Sequence, residues 1–141
     1  MRYLILVSHG TFAPGLHNAL GMMAGADRPD IRSTSLLDGM DVDTFRGNFA
    51  ELVADITPED EILLTADIIG GSPLTTALDV LTEKGLLANT VAIGGMGLPL
   101  VLTAAFSDED TPLSELAEEI MEEARGQIRR FNPEMNEEDD I

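Results

Sequence analysis

Four apolar runs of strand length alternate with segments whose apolar residues recur at helical spacing, and this alternation constrains the chain more than any other feature. The run "RYLILV" at residues 2–7 is continuously apolar after its arginine, the pattern of a strand covered on both faces. Residues Ile31 to Leu36, then "EILLTAD" and "NTVAIGG", supply three more strands. Between the first two, Leu16, Ala19, Leu20 and Met23 share one face of a helix running from Pro14 to about Ala24. Val42, Phe45, Phe49, Leu52 and Val53 mark a second helix, and "GGSPLTTALDVLTEK" a third. "LPLVLTAAF" reads as a short buried helix, and Leu113, Leu116, Ile120 and Ala124 form the stripe of a last one. Such an order implies an α/β, doubly wound, mostly parallel sheet with helices on both faces and right-handed crossovers. Every strand then sends its carboxyl end to one common edge.

Local signals refine this outline. Asp41 or Asp43 is positioned to cap the second helix, and Ser72 before Pro73 is an N-cap and first-turn signature. Gly126 weakens the last helix near its end, and "GQIRRF" at 126–131 either continues it or forms a short edge strand; periodicity does not decide. Residues 1–131 read as one domain, and 132–141 as a Pro-interrupted acidic tail expected to be disordered. The run "YLILV" is too short for a signal sequence or a membrane span, so the chain is expected to be soluble, unprocessed and without direct membrane insertion. Cysteine is absent, which removes disulfides, thiolate nucleophiles and sulfur-ligated metals and fits a cytoplasmic protein. A formal charge of −18 argues against nucleic-acid binding and favours partners with basic faces, although solubility accounts for the charge equally well.

The chemistry concentrates where "LVSHGTFAPG" leaves the first strand. Ligands of doubly wound sheets sit outside the carboxyl ends of the strands, where the strand order reverses. With the order 2-1-3-4, His9 after strand 1 and Asp67 after strand 3 fall within hydrogen-bonding reach. A carboxylate on one imidazole nitrogen fixes the tautomer and leaves the other nitrogen exposed as a nucleophile. Gly70, Gly71 and Ser72 precede one helix, and Gly10 and Thr11 another, so backbone amides can face an anion. No second histidine has metal-ligand spacing, so phosphohistidine chemistry outranks metal chemistry, and neither metal nor cofactor is expected. Blander readings attach to the same residues: the paired glycines allow a tight turn, and Asp67 is equally suited to capping it. His17, inside the first helix, reads as a packing or surface residue, Asp38 as a loop acid, and Met96 and Leu98 as core.

"LVSHGTFAPGL", "ADIIGGSPLTTAL" and "GGMGLPLVL" together resemble the enzyme IIA component of the mannose family of the bacterial phosphoenolpyruvate-dependent sugar phosphotransferase system, over about residues 1–131. The resemblance implies a phosphotransferase in which His9 accepts a phosphoryl group from phospho-HPr and passes it to an enzyme IIB partner, with the IIC and IID membrane components beyond. It implies that Asp67 orients the histidine, that Ser72 lies near the phosphoryl group, and that two copies exchange a C-terminal edge strand, for which "GQIRRF" is the candidate. With no IIB domain following, IIB is expected on a separate polypeptide. Ile68 and Ile69 depart from the pattern, bringing neither hydroxyl nor ring, so a phosphate contact there falls to backbone. Two other functions compete. A regulatory domain phosphorylated on His9 would pass nothing on; a small tetrapyrrole chelatase would need a second metal-binding histidine on a later element, and none follows His17.

Overall fold

The computed structural model describes residues 1–134. Strand β1 (Arg2–His9) leads to helix α1 (Phe12–Ala24), β2 (Ile31–Leu36), α2 (Val42–Leu52), β3 (Glu61–Ala66) and α3 (Ser72–Glu83). A single 3-10 turn at Leu87–Asn89 precedes β4 (Thr90–Ile93), α4 (Leu98–Ala105) and α5 (Leu113–Gly126). The sheet is wholly parallel with the order β2-β1-β3-β4. The two central strands explain their own sequences. Side chains alternate between faces along a strand: Leu4 and Leu6 enter the core under α1, α4 and α5, whereas Tyr3, Ile5 and Val7 enter the core under α2 and α3. An uninterrupted apolar run is what a strand buried on both faces requires.

The helices begin where side chains satisfy their first amides. Asp41 caps α2, its Oδ1 accepting from the Thr44 amide at 2.7 Å. For α1 the cap comes from the preceding strand: Ser8 is buried and its Oγ accepts from the Ala13 amide at 2.7 Å. That arrangement lets α1 start at Phe12, two residues before the expected Pro14, because a proline in the first turn forgoes an amide that has no helical acceptor anyway.

Two other expectations are corrected. Ser72 is the first residue of α3 rather than its N-cap; the cap is Gly71, in extended geometry (φ −82°, ψ 165°), and no side chain completes it. Met23 and Val42 lie at the exposed edges of their apolar stripes, while Phe45, Phe49 and Val53 carry the packing of the second. Residues 127–131 belong to no strand within the single chain, since α5 runs through Gly126. Met96 is buried and Leu98 packs against the same core. The greater part of the expected acidic tail, residues 135–141, lies outside the described residues.

Candidate functional site at the carboxyl edge of the sheet

His9 is the last residue of β1, and its register partners bracket the site. It pairs with Leu36 of β2, while Val7 pairs with Ala66 of β3, so Asp67 emerges from the neighbouring strand beside the His9 backbone. One carboxylate oxygen then makes two bonds: Asp67 Oδ2 accepts from the His9 amide at 3.1 Å and lies 2.9 Å from His9 Nδ1. The shared oxygen ties ring orientation to the strand. With the carboxylate ionised, Nδ1 carries the proton and donates, which leaves the lone pair on Nε2. The imidazole remains open to solvent, with 46% of its side chain exposed.

Asp67 is far more enclosed than its partner, at 18% side-chain exposure. Burial pushes its carboxyl upward, but bonds from the His9 amide and ring and from the Ile68 amide together outweigh this and hold it below the ordinary value. Its second oxygen, Oδ1, is buried without a hydrogen-bond partner among the described residues.

Gly71 meets the ring directly. A Cβ built at this position would stand 2.8 Å from His9 Cε1, the ring carbon bonded to both nitrogens, and 3.2 Å from Ile68 Cδ1. The start of α3, the positive end of its dipole, therefore lies against the imidazole. Gly70 turns the chain with φ +80°, a conformation costly for any other residue. The amides of Gly70 and Ser72 find no acceptor among the described residues, as an anion cradle requires.

The expected phosphoryl-binding residues thus differ in what they offer. Gly71 lies against the ring, with Gly70 and Ser72 as its chain neighbours. Gly10 turns the chain at φ +59°, but its amide is occupied by Leu36 O at 2.8 Å. Thr11 is exposed at the N-cap of α1, and its hydroxyl caps nothing. His17 is not brought to the site: its Nδ1 lies 2.7 Å from Ser33 Oγ, and Ser33 sits three strand positions below the His9 partner.

Sequence reasoning passed over Ser8, whose cap aims α1, and Met96, whose amide donates to Ala66 O at 2.9 Å and braces the end of β3. A serine closing an apolar strand just before a helix was the available signal for the first; the second has none, being a backbone bond between distant segments. A cavity of about 360 Å³ opens at the opposite edge of the sheet, beside Arg2, Arg28, Asp30 and Asp108. Both arginines there donate to neighbouring carboxylates and carbonyls.

The chain is also similar to known proteins in sequence and in fold. The chain is 26% identical over 113 residues to the PTS system fructose-specific EIIA component of Bacillus subtilis, covering 80% of this chain and 75% of that one. Its structure is similar to the phosphotransferase system component EIIA of Streptococcus agalactiae (TM-score 0.79, 23% identity, 93% and 98% of the two chains). It is also similar to the PTS IIA protein associated with the fucose utilization operon of Streptococcus pneumoniae (TM-score 0.78, 25% identity, 96% of each chain). The family model EIIA-man, PTS system fructose IIA component, matches residues 3–121. A parallel 2-1-3-4 sheet with a histidine and an aspartate at its carboxyl edge, matched over most of its length, places the chain in the EIIA-man family of phosphotransferase-system sugar components.

Proposed function

We propose that the protein is a cytoplasmic phosphocarrier whose His9 accepts a phosphoryl group from phospho-HPr and passes it to an enzyme IIB component. The observation that carries this reading is the pair of hydrogen bonds that Asp67 Oδ2 accepts from the His9 amide and from Nδ1, because it leaves Nε2 as the free nucleophile on an exposed ring. In the forward step the Nε2 lone pair attacks the phosphorus of the donor phosphohistidine. The new N–P bond forms as the old one breaks, and the donor imidazole leaves with its electron pair. Positive charge grows on the His9 ring, which still holds its Nδ1 proton, and the Asp67 carboxylate stabilises that charge. The phosphoryl oxygens meet the start of α3, where Gly70, Gly71 and Ser72 present backbone amides. Thr11, exposed two residues after His9 with a hydroxyl that caps nothing, is offered as a further donor.

A phosphoryl group on an exposed side chain suits exchange between proteins. Ile68 and Ile69 stand out to solvent beside the site, and acidic residues Asp38, Asp41 and Asp43 flank the neighbouring loop, so a donor or acceptor with an apolar centre and basic margin fits the face. Among the described residues no helix is long and apolar enough to cross a membrane, in keeping with a component that meets IIC and IID only through IIB. A homodimer belongs to the same reading. On its outer side β4 pairs with no strand among the described residues, and Ile128 and Phe131 are 86% and 62% exposed, ready to be covered by a second copy.

The test is intact mass after incubation with phosphoenolpyruvate, enzyme I and HPr, at neutral or alkaline pH. Wild type is expected to gain one acid-labile phosphoryl group and His9→Ala none. A phosphorylated His9→Ala variant would overturn the assignment. Addition of a IIB component is expected to discharge the group; retention would make the domain a sensor.

A further inference from the structure

We propose that Gly94 is a positioning residue for phosphoryl transfer; the inference rests on the reading of His9 given above. The Gly94 backbone is not in the left-handed region, so turn geometry does not demand a glycine there, in contrast to Gly95 at φ +78°. The demand is steric. A Cβ at Gly94 would stand 2.8 Å from Ile69 Cβ and 2.9 Å from both Ile69 Cα and Ile69 N. Two of those three atoms are backbone, which cannot swing aside as the tip of a side chain can.

The contact joins the loop after β4 to the loop that builds the site. Ile93 ends β4, and the next residues grip the chain leaving β3 at two points. Met96 donates its amide to Ala66 O at 2.9 Å, and Gly94 lies flat on the Ile69 backbone. Asp67 sits between these points, and Gly70, Gly71 and Ser72 follow immediately. The Ile69 side chain is 80% exposed, so it anchors nothing itself. The height of the β3–α3 loop above the sheet is therefore set by the absence of a side chain at Gly94. Carbon atoms rest at about 3.5–4.0 Å, so an alanine would drive the loop outward by roughly 0.6–1.2 Å. The loop carries both the carboxylate that orients the ring and the amides that face the phosphoryl group. A misplacement of about 1 Å at a reacting centre can cost on the order of 100-fold in rate.

The test compares full-length wild type, Gly94→Ala and, as a control from the same loop, Gly97→Ala, whose added Cβ meets nothing nearer than Pro99 Cδ at 3.9 Å. Two quantities are read: the single-turnover rate of phosphorylation by phospho-HPr, and the ¹⁵N resonances of the His9 ring in the unphosphorylated protein, which report its tautomer. Gly94→Ala is expected to slow the rate by about 10-fold or more and to shift the ring signals, while Gly97→Ala does neither. A lowered melting temperature with unchanged rate and ring signals would make Gly94 merely structural and overturn the proposal. If wild type takes no phosphoryl group, the reading of His9 has failed, and unmoved ring signals in Gly94→Ala would separately dispose of the positioning role. Should Gly94→Ala fail to fold, wild type decides: phosphorylation of His9 is expected to shift the Gly94 amide resonance, and an unmoved resonance would refute the coupling.

Discussion

Replacing Asp67 by asparagine separates the charge of the carboxylate from its shape. Asparagine is isosteric, and its Oδ1 can take the place of the oxygen that now accepts from the His9 amide at 3.1 Å and stands 2.9 Å from Nδ1. The ring should therefore keep its place while the acceptor becomes neutral. A hydrogen bond to a charged group contributes about 1.5–3 kcal/mol and one between neutral groups about 0.5–1.5, so the bond to Nδ1 weakens by roughly 1–1.5 kcal/mol as positive charge develops. At 1.4 kcal/mol per decade that is about 10-fold in the rate of phosphoryl acceptance, rising toward 100-fold if the amide orients its nitrogen to the ring. Stability at pH 7 should fall modestly as well, because the lowered Asp67 value means that the ionised carboxylate favours the folded state. The pH dependence follows from the depressed Asp67 value. A lowered folded-state value contributes stability above the unfolded carboxyl value, lost as pH falls through the folded one, so the variant should lack this contribution and lose less stability under strong acid. Quench-flow phosphorylation from phospho-HPr and urea melts at pH 7 and in acid measure both effects. A variant as fast as wild type would show that Asp67 serves only the turn, and a variant with no activity would show that it does more than orient and stabilise.

Three other perturbations address separate parts of the structure. Gly71→Ala would place a Cβ 2.8 Å from His9 Cε1 at a backbone conformation alanine accepts, so the phosphorylation rate should fall about 10- to 100-fold with the melting temperature little changed; an unaffected rate would mean the ring moves freely. Ser8→Ala removes the cap on the Ala13 amide and should cost about 1 kcal/mol, seen as a drop of roughly 3–4 °C by calorimetry, and an unchanged midpoint would deny Ser8 that role. Burial lowers the His17 value, so the folded state binds its proton less readily than the unfolded chain and stability should decline as pH falls below about 6.5. His17→Gln should flatten urea-derived stability between pH 7 and 5; a wild-type slope in the variant would assign the decline elsewhere.

Much of the site was legible because its signals are local. His9 closes an apolar run, Asp67 closes another, and glycines with a serine and a proline mark the turn into α3. What each glycine does was not legible. Gly70 is needed for its positive φ, Gly71 for its approach to the imidazole and Gly94 for its approach to the Ile69 backbone, yet all three read alike as letters. The start of α3 was misplaced by one residue because Ser72 before Pro73 fits a cap by propensity, whereas the extended residue in the fold is Gly71. Gly10 looked like an amide donor to an anion until parallel pairing gave its amide to Leu36.

The sequence by itself determined the elements and their class, because burial on both faces demands unbroken apolar strands and a half-buried helix demands period 3.6. Through them it also determined that His9 and Asp67 stand at strand ends. Only the tertiary structure decided that one oxygen of Asp67 serves both the amide and the ring of His9, since that depends on the register of β1 against β3, set by the packing of side chains far from either residue. The tertiary structure alone also decided how closely the loops approach. Excluded volume acts between atoms that the chain brings together across dozens of residues, and no local pattern records which hydrogen must not become a methyl group.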